Sequence, residues 1–107
     1  MQRFGQVIGL RAEDADEYIR LHADVWPGVL KKIEECNLRN YSIFRYGDLL
    51  FAYMEYHGDD FEADMAKMAA DETTQKWWEV CMPMQKPVDE RAEGEWWHTI
   101  EEVFHVD

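Results

Sequence analysis

Two runs of strand-forming residues flank a two-residue turn in the middle of the chain: "NYSIFRY" (40–46), Gly47–Asp48, and "LLFAYMEY" (49–56). Such runs around a short glycine-containing turn read as an antiparallel hairpin. A lone hairpin is marginal in water, so helices or further strands must cover it. The flanking sequence supplies both. "FGQVIGL" (4–10) alternates imperfectly and predicts a strand, and "RAEDADEY" then gives an acidic helix start suited to the positive end of a helix dipole. Ala15, Ile19, Trp26, Val29, Leu30 and Ile33 recur at helical spacing, with Pro27 either kinking one helix or opening a second. The pattern fades near Cys36–Asn37.

After the hairpin, Asp59 or Asp60 is a cap for a helix whose apolar face is Phe61, Met65 and Met68. A break near Asp71–Thr74 leads to further helical turns in "TQKWWEVCM". Residues 83–95, with two prolines, a glycine and many charges, predict a loop, the segment most prone to disorder. "WHTIEEVFHV" (97–106) predicts a fourth strand. The order β-α-β-β-α-β is the α+β, ferredoxin-like arrangement, one antiparallel sheet with its helices on one face. With 107 residues, one domain spanning 1–107 is expected.

Helices on one face leave the other open, yet the third strand is apolar on both sides, Leu49, Phe51 and Tyr53 against Leu50, Ala52 and Met54. The first strand adds Phe4 and Ile8 on one side and Val7 on the other. An exposed apolar sheet of that size predicts a second copy covering it, hence a symmetric homodimer.

The formal net charge of −12 disfavours nucleic acid and anionic membrane surfaces, and the Lys and Arg residues are scattered. No glycine-rich loop opens a helix to hold phosphate, so a neutral small molecule suits the charge best. Cys36 and Cys81 stand apart, without zinc spacing, and read as free thiols in a reducing compartment. No apolar run approaches a membrane span, and the start "MQRFGQVIGLRAED" has no secretory pattern, so a cytoplasmic protein is expected.

The chemistry concentrates in "EYIRLHADVWPGV" (17–29). Tyr18, His22 and Trp26 are four residues apart and share one helical face. A histidine on such a stripe is more often a packed residue than a catalyst. The pair Trp77–Trp78 weighs against packing alone. Neighbours on a helix point about 100° apart, so when one indole enters the core the other faces elsewhere. An indole facing a cleft is a platform for the apolar face of a sugar ring. Trp96–Trp97 raises the same question more weakly, and one of that pair could serve a dimer surface. His57, His98 and His105 form no metal-ligand spacing, and no nucleophile motif or dinucleotide fingerprint appears.

Taken together, "EYIRLHADVWP", "NYSIF", "KWW" and the terminal "EEVFHVD" resemble the L-rhamnose mutarotase family along essentially the whole chain. The resemblance implies a dimeric, ferredoxin-like α/β-barrel that interconverts the α and β anomers of a 6-deoxy aldose, with no cofactor and no metal. It implies His22 as the proton donor and Tyr18, Tyr41, Trp77 and Trp78 as sugar contacts. L-rhamnose is the expected sugar and L-fucose the alternative. A non-catalytic ligand-binding module and a cofactor-free monooxygenase are the readings from other classes that the fold would also accommodate.

Overall fold

A computed structural model describes residues 1–107. Strands β1 (Gln2–Leu10), β2 (Leu38–Tyr46), β3 (Leu49–Tyr56), β4 (Gln85–Lys86) and β5 (His98–Ile100) form one antiparallel sheet. Helices α1 (Ala15–His22), α2 (Pro27–Glu35), α3 (Phe61–Ala69) and α4 (Glu72–Cys81) connect them. The strand order is β2-β3-β1-β4, with β5 also on β1. This is the ferredoxin-like arrangement.

Local chemistry places the helix ends. Pro27 occupies the first turn of α2, where its missing N–H costs nothing, so it opens a second helix instead of kinking one. Asp60 accepts a hydrogen bond from the Ala63 backbone N–H, and Asp71 from that of Thr74; these side chains begin α3 and α4. Gly47, at φ +58°, turns the hairpin.

The core lies between the helices and one face of the sheet. Ile8, Leu10 and Leu50 from the strands pack with Tyr18, Val29, Trp77 and Cys81 from the helices. Cys36, Leu38, Met54, Tyr56 and Met68 form a second cluster beside it. Only 17 of the 107 residues are buried, so a chain this rich in apolar residues keeps much of them at the surface. Phe44 is 64% exposed, and it pairs with Phe51, which pairs with Val7, all on the face away from the helices.

Two features depart from expectation. The fourth strand is split. Residues 83–95 are not all loop, because Gln85–Lys86 pairs with Gly9–Leu10 of β1 as β4. A Cβ on Gly9 would lie 2.5 Å from the Lys86 carbonyl oxygen, which explains glycine there. The last strand, expected over 97–106, is only His98–Ile100. It pairs further along the same edge of β1, at Gly5–Val7. Beyond it the chain runs out exposed, tied to β1 by the Arg3–Glu102 ion pair, with Val103, Phe104 and Val106 uncovered. Segment 87–97 is thus an excursion between two short strands on one edge.

The second departure is in β2, which starts at Leu38 and shifts register between Arg39 and Ser42. Asn40 sits there in the left-handed region (φ +51°), and its Nδ2 donates to Glu55 Oε1 at 2.9 Å. Two residues oppose one, which is a β-bulge. With strict alternation Leu38 and Tyr41 would face opposite sides. The bulge turns both toward the helices.

Candidate active site

His22 is the last residue of α1, and its Nδ1 lies 2.8 Å from the backbone carbonyl of Tyr18 one turn earlier. A carbonyl only accepts, so Nδ1 carries the proton and donates it. In the neutral ring, Nε2 on the far side is therefore an unprotonated acceptor. Burial pushes the imidazole below its ordinary value of 6.5, with the hydrogen bond to Tyr18 pulling the other way. At neutral pH the ring is mainly uncharged.

Aromatic rings hold it in place. The Tyr18 ring stacks on the imidazole with centroids 4.1 Å apart, and Trp77 meets it edge-on at 5.1 Å. Trp26 packs on Trp77 at 5.1 Å. Trp26 is not a third turn of α1, as its spacing predicted. It lies past the helix end, just before Pro27, and buttresses Trp77 from there.

These rings border a cavity of about 330 Å³ between the helices and the sheet, within the range of small-ligand sites. Tyr18, His22, Tyr41, Trp77, Trp78, Gln85, Trp96 and Trp97 all line it, and most of the remaining wall is aliphatic or methionine. No carboxylate, lysine or arginine does. A shallower depression of about 570 Å³ shares His22, Tyr41 and Trp77 and runs out past exposed Leu30 and Arg39, so the imidazole is reachable from solvent. Another groove, of about 480 Å³, lies near Gly9–Glu13 and Lys86–Glu90, but it has neither an aromatic wall nor an imidazole.

The structure brings all five residues singled out from the sequence to one cavity. Trp77 is 6% exposed and belongs to the core, while Trp78 is 36% exposed and stands at the rim. Adjacent helical positions divide the two indoles as the 100° rotation requires. Burial raises the phenols of Tyr18 and Tyr41, keeping both protonated. Cys81, also on the wall, has its thiol pushed up to about 11 by burial, so it is no nucleophile at neutral pH. The other histidines pair with acids outside the cavity: His57 with Glu55, His98 with Glu95, His105 with Asp107.

Three contributors were not singled out. Asn40 aims Tyr41 through the bulge. Gln85 lies in a segment expected to be loop, yet it is 5% exposed, with Nε2 2.9 Å from the Tyr18 hydroxyl. Trp96 donates its indole N–H to Gln85 Oε1 at 2.7 Å. The only sequence signal for the last two was the Trp96–Trp97 pair itself, which carries no information about a partner 11 residues away.

Comparison with known proteins shows the family of the chain. A family model described as L-rhamnose mutarotase matches residues 3–106. An L-rhamnose mutarotase from Lactiplantibacillus plantarum is 30% identical over the full length of both chains. An L-fucose mutarotase from Xanthomonas campestris pv. campestris is 32% identical, covering 97% of this chain and 87% of its own. A crystal structure of an L-rhamnose mutarotase from Formosa agariphila superimposes with a TM-score of 0.77 over 100% of both chains, at 23% identity.

Proposed function

The chain belongs to the L-rhamnose mutarotase family, and from that premise we propose that it interconverts the α and β anomers of L-rhamnose, with His22 moving the proton. The observation that carries this reading is the imidazole at the cavity wall, tied through Nδ1 to its own helix and leaving Nε2 free.

Opening a hemiacetal requires that the anomeric hydroxyl lose its proton and the ring oxygen gain one. Both oxygens are bonded to C1, so one nitrogen reaches both. Neutral His22 takes the anomeric proton on Nε2. The O–H electron pair becomes the C1=O bond, the C1–O5 pair leaves with the ring oxygen, and the imidazolium returns its proton there. The aldehyde turns about C1–C2, and the reverse steps close the ring on the other face. Depression of the imidazolium pKa makes it a stronger acid for the second half. Tyr18 and Tyr41 orient hydroxyls, while the indoles of Trp77 and Trp78 take the apolar face and the 6-methyl group. An apolar wall favours a methyl over a hydroxymethyl, whose hydroxyl would be left without a partner.

The test is exchange between anomers, followed by NMR saturation transfer in L-rhamnose and L-fucose at equal enzyme concentration. Faster exchange than in the enzyme-free control is expected for L-rhamnose. If L-fucose alone responds, the second sugar is the substrate, a reading favoured by the 32% identity to a relative named for it. No acceleration with either sugar removes the activity.

We propose also that the protein is a homodimer of this one domain, working in the cytoplasm. Phe44, Phe51 and Val7 form an apolar row on the open face, and Val103, Phe104 and Val106 of the tail also stand uncovered. A second copy placed on this face covers the row. Light scattering at micromolar concentration should give twice the chain mass, and Phe44→Glu should halve it; a wild-type monomer would refute the pairing.

A further inference from the structure

Trp96, Gln85 and Tyr18 form a hydrogen-bonded chain whose direction is set at one end. An indole N–H can only donate, so the atom of Gln85 facing Trp96 at 2.7 Å is its carbonyl oxygen. The amide is planar, so its NH₂ group is the end that faces Tyr18, at 2.9 Å. Tyr18 oxygen therefore accepts from Gln85, and its own proton is left to point elsewhere.

We infer that Gln85, oriented by Trp96, is a positioning residue that fixes Tyr18 as a hydrogen-bond donor into the cavity, toward an oxygen of the sugar. This rests on the mutarotase reading and deepens it. A lone buried tyrosine can donate or accept. This one is committed to donating, and the chain behind it polarises the phenol so that it donates more strongly. A donor held beside His22 suits the ring oxygen as it gains negative charge, or the hydroxyl next to it. The inference also accounts for Trp96, which anchors the relay as well as forming part of the wall.

Gln85→Glu tests the direction of donation. It keeps the size of the side chain and an acceptor for Trp96. Protonated, the new carboxyl donates to Tyr18 as the amide does. Ionised, it accepts the Tyr18 O–H hydrogen bond and turns that donor away from the sugar. The titratable groups lining the cavity with it are Tyr18 and His22 of α1, Tyr41 of β2 and Cys81 of α4. From β1, Gly9 and Leu10 oppose β4 and bring no charge, and the 87–97 excursion brings the indoles of Trp96 and Trp97. An apolar site raises a carboxyl, so its titration falls within a measurable pH range.

The ratio of variant to wild-type kcat/KM, after subtraction of uncatalysed exchange, should fall roughly 100-fold from the acid to the alkaline end, the size of losing one directed donor. At the alkaline end Tyr18→Phe should cost activity in the wild-type background and almost none in the Gln85→Glu background. A pH-independent ratio, or equal Tyr18→Phe losses in both backgrounds, overturns the inference while leaving the activity intact. Wild-type protein inert toward both sugars overturns the activity itself, and the inference with it. If Gln85→Glu does not fold, the Trp96 indole proton of the wild type decides. Its NMR resonance, assigned by loss in Trp96→Phe, should move downfield on sugar addition in wild type and stay put in Tyr18→Phe. No movement in wild type, or the same movement in both, overturns the inference.

Discussion

His22→Ala is expected to lose 100- to 10,000-fold of catalysed exchange, the usual contribution of a positioned acid–base group, while remaining folded. Folding survives because His22 ends α1 and its one hydrogen bond runs back to its own helix. What packing loses is mainly the contact with Tyr18 and Trp77, about 1 kcal/mol. The wild-type pH profile should carry the same signature. A base must be neutral to act, so kcat/KM falls as the imidazole protonates. Burial depresses its pKa, so the acid limb lies below 6.5, the ordinary imidazole value, with a level region above it. Circular dichroism and saturation transfer on one preparation separate folding from activity. An alanine variant with undiminished exchange would make His22 structural, and a limb displaced above 6.5 would contradict its buried setting.

The paired indoles should part company when each is replaced. Trp77→Ala removes a large buried ring from the main core cluster and withdraws the edge-on support of His22. The expected loss is about 3–5 kcal/mol, a large share of the ~5–15 kcal/mol of a typical domain. Trp78→Ala trims a rim residue that is 36% exposed, so its effect on stability should stay within about 1 kcal/mol. Its effect should appear in KM for the sugar, with kcat largely kept. Urea melts and saturation kinetics on the two variants measure both axes. Equal loss of stability in both, or an unchanged KM in Trp78→Ala, would mean that the rim indole holds no sugar.

Much of this is legible in the sequence. The hairpin about Gly47, the helix break at Pro27 and the cap at Asp60 follow from backbone chemistry within a few residues, which a linear reading captures. His22 and Tyr18 could be put on one face by helical periodicity, which also made Trp77 and Trp78 diverge without saying which enters the core; their roles as sugar contacts came from the family resemblance. Tyr41 was reached through family resemblance, since its orientation depends on the bulge at Asn40, and asparagine alone does not announce one. Gln85 lay beyond reach. Its burial comes from two ladder positions against Gly9 and Leu10, formed in a stretch whose prolines and charges read as loop. The tail was overread because "EEVFHV" has strand composition; only His98–Ile100 finds a partner on β1, and composition cannot say where a neighbouring edge is already taken or ends.

Tyr18 and His22 ride on a single helix of two turns, joined ring to ring and through one carbonyl. Tyr41 and Trp78, across the cavity, are mounted on β2 and α4. On the proposed mechanism, proton handling belongs to one helix and the gauging of the sugar to other elements. Change on the strand or on α4 could retune which stereoisomer is admitted while the reacting pair stays in registration, and a lineage could diversify its diet without reinventing its chemistry.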